Sequence, residues 1–461
     1  MTMQQQAQLI GTDQEIPLIT GQMRRYVNLD YAASTPPLAT VARAVDAFLP
    51  WYSSVHRGAG FKSQVSTAAY EGARGSVRSF VHARDDDAVI FTRNSTDAVN
   101  LLASSLPERT HVLAFATEHH ATLLPWRKGT AVISYLPAPE SPDEALVLLE
   151  EALRRLAARH RLVAVTGASN VTGEVWPIGE IAALAHRYDA RVLVDAAQLA
   201  PHMPIDVRKL AVDYLVMSGH KLYAPFGAGV LIGRADWLRD APPFLFGGGA
   251  VDFVTLDDVL WALLPDRQEA GSPNVIGAVT LGLACQTLSG LGMDRVAAAE
   301  MELAAYARTT LSALPGVTLY SLWPDVATPR LGIVSFNLAG FWHSHLAAIL
   351  SAEYGIGVRH GCFCAHPFMQ KLMHIDDDGA AVIREALAAG HKERIPGAVR
   401  ISMGLDSTRE DIDYVAQALD SIGRNGPMWG YRVLEDSGEY VPSPETRSPP
   451  AFSFPLVYPY E

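Results

Sequence analysis

Five side chains that can do chemistry fall at the ends of two neighbouring apolar runs. Val192-Leu193-Val194 stops at Asp195, with Gln198 three residues on. Tyr214-Leu215-Val216-Met217 stops at Ser218, followed by His220 and Lys221. Continuous apolar runs without alternation predict short strands buried on both faces of a parallel sheet. In open α/β sheets ligands sit beyond the carboxyl ends of the strands. An acid, an amide, a hydroxyl, an imidazole and an amine are therefore expected in one crevice. A lysine and a carboxylate arriving together suit pyridoxal 5'-phosphate (PLP). The lysine forms the Schiff base, and the acid keeps the pyridine nitrogen protonated so that the ring draws electrons. The plainer alternative is an Asp–Lys ion pair at a sheet edge.

Other groups fall at similar positions. The apolar run Ala88–Thr92 leads through Arg93-Asn94 to Ser95-Thr96 and helical text. Hydroxyls and free amides at a helix N-terminus suit a phosphate monoester, and equally a simple cap. His119 and His120 follow a strand ending near Phe115; one of them could stack on a flat ring, or both form a surface pair. Asn170 ends another apolar run. His56 and Arg57 lie in a Gly-rich loop, where a solvated turn and a functional role are equally open. His360, Cys362, Cys364 and His366 recur every second residue. On a strand all four would face one way, as zinc ligands could. Gly361 and Pro367 favour a loop instead, so no metal site is expected. On that loop Cys364 reads as a reactive thiol, activated by Arg359 and a protonated imidazole. Cys362 reads as structural and Cys285 as core.

The elements that position these groups follow from composition and period. With 461 residues, 49% hydrophobic and 19% charged, the chain has room for two domains and little for disorder. A net charge of −12, with no basic tract, argues against a polyanion-binding surface. No apolar run approaches a bilayer span, and the N-terminus lacks the charge and apolar core of a secretory signal. Three cysteines point to free thiols in a reducing cytosol. Strand and helix patterns alternate to about residue 292, predicting a mostly parallel sheet between helices. Asp257-Asp258 reads as a helix start. Gly247-Gly248-Gly249 lacks the spacing and the following helix of a dinucleotide fingerprint. The expected organisation is a loosely ordered extension (1–25), a large domain (26–292), a small α+β domain (293–423) and an irregular Pro- and Ser-rich tail (424–461).

Together the stretches LDYAASTP, VHRG, FTRNSTDAVNLLA, EHHATLLPW, SNVTGEVWPI, VLVDAAQLAPH, SGHKLYAPFGAG, RQEAGSPN and VRHGCFCAHP resemble the PLP-dependent class V aminotransferase family. Within it they are most similar to the cysteine desulfurase and selenocysteine lyase group. The resemblance spans about residues 27–422. It implies a type I PLP-transferase fold, an α/β fold with a seven-stranded type of sheet. It implies Lys221 as Schiff-base lysine, Asp195 on the pyridine nitrogen, Gln198 at the ring hydroxyl and His119 stacked on the ring. Ser95, Thr96, Ser218 and His220 would hold the phosphate, with Ser272 reaching in from the second subunit of a homodimer. Asn170 would line the pocket; Arg400, with Arg359, Ala33 and His56, would meet the substrate. Cys364 falls on the sulfur-accepting cysteine. The implied reaction removes sulfur or selenium from cysteine or selenocysteine for an acceptor protein or small molecule. An aminotransferase, epimerase or lyase of the same family is the alternative, and a catalytically idle binding protein of this fold a further one. The chain departs from the group in having Cys362-Phe363 before Cys364, where histidines are common, in a longer 366–400 segment, and in its tail. The GCFC pattern is similar to that of molybdenum-cofactor sulfurase PLP domains.

Overall fold

The computed structural model describes residues 7–452. Residues 7–23, part of the extension expected to be loose, are tied down instead. β1 (Glu15–Pro17) pairs with β2 (Met23–Arg25); Leu18 and Ile19 are buried, and Ile19 N–H donates to Ala352 O at 2.8 Å. β3 (Val27–Asn28) follows, and a turn carries Asp30 to Thr35 to the rim of the main sheet.

That sheet has seven strands: β4 (Ala88–Thr92), β5 (His111–Phe115), β6 (Val132–Leu136), β7 (Arg161–Thr166), β8 (Ala190–Asp195), β9 (Tyr214–Ser218) and β10 (Gly229–Gly233). Their spatial order is β4-β10-β9-β8-β7-β5-β6. The pairs from β6 through β5, β7 and β8 to β9 are parallel. β10 alone runs against both its neighbours. The continuous apolar runs have a direct cause. Val192 and Val194 pack into the core on one face of the sheet and Leu193 into the core on the other; Leu215 and Met217 are likewise divided from Tyr214 and Val216. Both faces are covered, so every position is apolar.

Beyond the sheet, β11 (Val251–Val254) and β12 (Val259–Trp261) form a hairpin. Asp257-Asp258, expected to start a helix, sits in its turn, where Thr255 Oγ1 accepts from both backbone amides. Thr255 therefore does locally what a helix cap would have done. The long helices Val275–Leu291 and Met293–Ser312 meet at Gly292 (φ +84°) at a bend of 78°. Among the described residues no single helix is long and apolar enough to cross a membrane.

The second unit is a four-stranded sheet: β13 (Val317–Leu319), β14 (Ile333–Leu338), β16 (Arg359–Gly361) and β17 (Ala398–Ser402), in the order β13-β14-β17-β16. β15 (Ile356–Gly357) pairs with β3. Helices His343–Tyr354 and Arg409–Asn425 pack on its core. The tail, expected to be irregular, contains a further hairpin, β18 (Tyr431–Val433) with β19 (Tyr440–Pro442). Two residues of the helix His343–Tyr354 hold it. Tyr440 stacks on His345 at 4.5 Å, and Glu353 accepts from Met428 N, Trp429 N and Tyr431 Oη. Residues 453–461 of that tail lie outside the described residues.

Candidate active site

The parallel strands end on one side, and their loops build a cavity of about 450 Å³. Ala33, Ser95, Thr96, His119, Asn170, Gln198, Ser218, His220, Lys221, Arg359, Cys364 and Arg400 all line it. Twelve of the expected site residues, from both units, thus meet in one space, and Asp195 lies near enough to Lys221 and His119 to act on their charge.

Lys221 ends the short 3₁₀ turn Gly219–Lys221 that continues β9. Burial lowers its ammonium to about 8; Asp195 opposes that shift and Arg400 reinforces it. Burial wins, so a substantial fraction of the amine is neutral near physiological pH. Asp195 stands at the end of β8, 5% exposed. Its Oδ2 accepts from Thr122 Oγ1 at 2.9 Å and its Oδ1 from Ala197 N at 2.9 Å. His119 caps the short helix His120–Leu123, its Nδ1 accepting from Ala121 N at 3.1 Å. Burial, with Lys221 nearby, lowers it to about 4, leaving a neutral ring whose proton is on Nε2. His220 is likewise lowered to about 4 by burial and Lys221.

Asn94 caps the helix Ser95–Ser104, taking up Asp97 N at 2.9 Å. The first amides and hydroxyls of that helix border the cavity. Ser218 Oγ and Gln198 Oε1 are buried without a partner, while Gln198 Nε2 donates to Ala32 O at 2.7 Å. Buried polar atoms left unpaired are costly. Here they surround the lysine, together with a helix N-terminus, and fit a flat group carrying a phosphate and polar ring substituents.

The small unit supplies the rest. Arg400 on β17 is 3% exposed. It donates to Asn170 O at 2.8 Å and Asp30 Oδ1 at 3.3 Å, and its guanidinium lies 4.9 Å from the Phe363 ring centre. Its Nε is buried and unpartnered. Burial lowers it to about 10, so it remains a cation with spare donors facing the cavity, suited to a carboxylate. Arg359 binds the other oxygen of Asp30 at 3.3 Å.

β16 stops at Gly361, and Phe363 and Cys364 both take left-handed backbone angles (φ +52° and +54°). The loop is pinned by Asn170 Nδ2 on Phe363 O (2.7 Å) and His120 N on Cys364 O (2.8 Å). The four-residue alternation therefore does not share a strand face. Cys362 Sγ donates to Pro396 O at 3.1 Å, and burial pushes the thiol up to about 11. Cys364 is exposed. Cys285 is buried in its helix, which raises its thiol.

Two expected residues lie elsewhere in the chain. His56 and Ser272 line a separate cavity of about 420 Å³ with Arg57 and Glu269. His56 is engaged with Glu71 at 3.0 Å and edge-on to Tyr70. Within one chain His56 does not reach the Lys221 cavity, because the Gly-rich loop carrying it packs against residues 249–251 through Arg57. Sequence reasoning missed Asp30, Thr122 and Phe363. All three stand inside the quoted stretches (Asp30 in LDYAASTP, Thr122 in EHHATLLPW, Phe363 in VRHGCFCAHP), so the motifs held the available signal.

This α/β fold, with a lysine and an acid at adjacent strand ends, defines a cofactor-dependent enzyme class, and comparison with known proteins agrees. A family model described as Aminotransferase class-V matches residues 27–415. A probable cysteine desulfurase of Halalkalibacterium halodurans is 37% identical over 86% of this chain and 92% of its own length. The apo structure of a cysteine desulfurase from Thermococcus onnurineus superposes with a TM-score of 0.76 at 29% identity, covering 90% of this chain and 97% of that one. A cysteine desulfurase structure from Escherichia coli gives 0.72 at 31% identity over 86% and 94%. The chain belongs to the class-V aminotransferase family, within its cysteine desulfurase group.

Proposed function

We propose that the protein is a PLP-dependent cysteine desulfurase that takes sulfur from L-cysteine, or selenium from selenocysteine, onto Cys364 and releases alanine. The observation that carries this is Cys364 sharing one cavity with Lys221 and Arg400. Asp195, Gln198, His119, Ser218, His220 and the helix start at Ser95-Thr96 would hold the cofactor. Bound PLP supplies an electron sink for charge at the substrate's α-carbon.

The chain's own residues do the remainder. Arg400 orients the substrate carboxylate. Lys221, partly neutral at working pH, takes the α-proton. The Cys364 thiolate attacks the substrate sulfur; a sulfur–sulfur bond forms, and the carbon–sulfur bond breaks with its electrons left on carbon. A proton delivered to that β-carbon, and the one held by Lys221 returned to the α-carbon, complete alanine. The sum is L-cysteine plus a Cys364 thiol giving L-alanine plus a Cys364 persulfide. The persulfide then passes to an acceptor protein or small molecule. Three free cysteines support a reducing cytosolic setting, and the separate Ser272 cavity supports a homodimer.

The test is Cys364→Ala assayed against a panel of amino acids, with sulfide, alanine and keto acid scored separately. Alanine release from L-cysteine should fall by at least about 10²-fold. An unchanged rate would return the chain to the aminotransferase, epimerase or lyase readings.

A further inference from the structure

A third cavity, of about 240 Å³, adjoins the Cys364 loop. Cys362 and Cys364 line it together with His120, His366, Lys392 and the tip of the C-terminal hairpin, residues 437–439. Cys364 and His360 line both this cavity and the one holding Lys221, so they stand in the wall between the two.

Hydrogen bonds through that wall fix the protons on His360. The Ile395 carbonyl can only accept, so His343 Nε2, 2.9 Å away, donates to it. Burial lowers His343 to about 4, so it holds that one proton and its Nδ1 is an acceptor. His360 Nδ1, 3.3 Å from it, must be the donor. His360 Nε2 meets Glu439 Oε2 at 2.8 Å. The hydrogen bond from His360 keeps the Glu439 carboxyl below its ordinary value, so this oxygen also only accepts. Both nitrogens of His360 therefore face acceptors, the arrangement that an imidazolium satisfies.

Glu439 is delivered by a part of the chain beyond the residues matched by the family model, which end at 415. Besides its packing on His345 and Glu353, the hairpin is seated at Gly438 (φ +73°). A Cβ there would come within 2.5 Å of Glu393 N. Other charged and titratable groups also face this loop: Lys221 and Arg400 act on Cys364 from the first cavity. Arg359 is bound to Asp30 at 3.3 Å. Lys392 contributes positive charge to the same cavity. Burial lowers both His120 and His366.

We propose that Glu439 is a positioning residue for the Cys364 chemistry: it holds His360 as an imidazolium in the wall beside Cys364, where that charge stabilises the anionic sulfur, first thiolate and then persulfide. This rests on Cys364 being the sulfur acceptor. It makes the C-terminal hairpin part of the working enzyme.

The experiment uses the full chain loaded with PLP and carrying Cys362→Ser, so that iodoacetamide reports on Cys364. Alkylation rate is followed against pH beside alanine release. Glu439→Gln should raise the midpoint by about one pH unit and slow alkylation at pH 7 about five- to tenfold, because an opposite charge favours the thiolate. Glu439→Asp should restore most of the loss. His360→Gln should give the same shift as Glu439→Gln, and the double variant no more than either. An unshifted midpoint in His360→Gln, or in folded Glu439→Gln, overturns the proposal; if Glu439→Gln does not fold, His360→Gln decides. Failure of the desulfurase reading shows separately, as alanine release that survives Cys364→Ala.

Discussion

At the scale of single residues, the site turns on charged groups kept away from water. Lys221 and Arg400 share a cavity, and burial weakens both as cations. The outcome differs because their starting values differ. Arg400 falls to about 10 and stays charged, whereas Lys221 falls to about 8 and can act as nucleophile or base. Neutral amine is the form that condenses with a carbonyl. The rate at which the cofactor-free chain takes up PLP should therefore rise with pH and level off above about 8. Visible absorbance after mixing measures it. A midpoint near the ordinary lysine value of about 10.4 would contradict the burial argument.

At the scale of elements, the site is made where short segments are pinned by distant partners. Gly438 is such a point: alanine there meets backbone at 2.5 Å and must hold φ +73°. Gly438→Ala should lower the stability of the chain by about 1–3 kcal/mol, read as a lower midpoint in thermal unfolding. It should also move the Cys364 alkylation profile in the direction of Glu439→Gln. The residues at strand ends, Asp195, Ser218 and Lys221, were legible because a parallel sheet sends the carboxyl ends of its strands to one side whatever the rest of the chain does. Thr122 and Asp30 were not, since their roles come from Asp195 and Arg400, 73 and 370 residues away. Phe363 is visible only as a face beneath Arg400. The C-terminal hairpin gave no periodic signal because each strand is three residues long. Its order comes from Tyr440 on His345 and from Glu353, contacts no local pattern encodes.

At the scale of the molecule, one chain leaves apolar surface bare. Phe246, Phe253, Leu260 and Leu263 are each more than 60% exposed, and the hairpin and flanking segments that carry them adjoin the cavity that holds Ser272 and His56. In the homodimer proposed above, a second chain would cover this surface. A twofold dimer using it would carry Ser272 of each protomer toward the Lys221 cavity of the other. Mixed dimers separate this arrangement from a within-chain role. Lys221→Ala and Ser272→Ala protomers, each nearly inactive alone, are unfolded together and refolded as a mixture. If Ser272 works across the interface, each mixed dimer holds one site with both substitutions and one with neither. Random pairing then restores about a quarter of the wild-type sites. If Ser272 serves its own chain, every site keeps one substitution and alanine release stays at the average of the two parents. Phe246→Asp with Leu263→Asp provides the physical control: sedimentation should show monomers, and the recovered activity should disappear with the dimer.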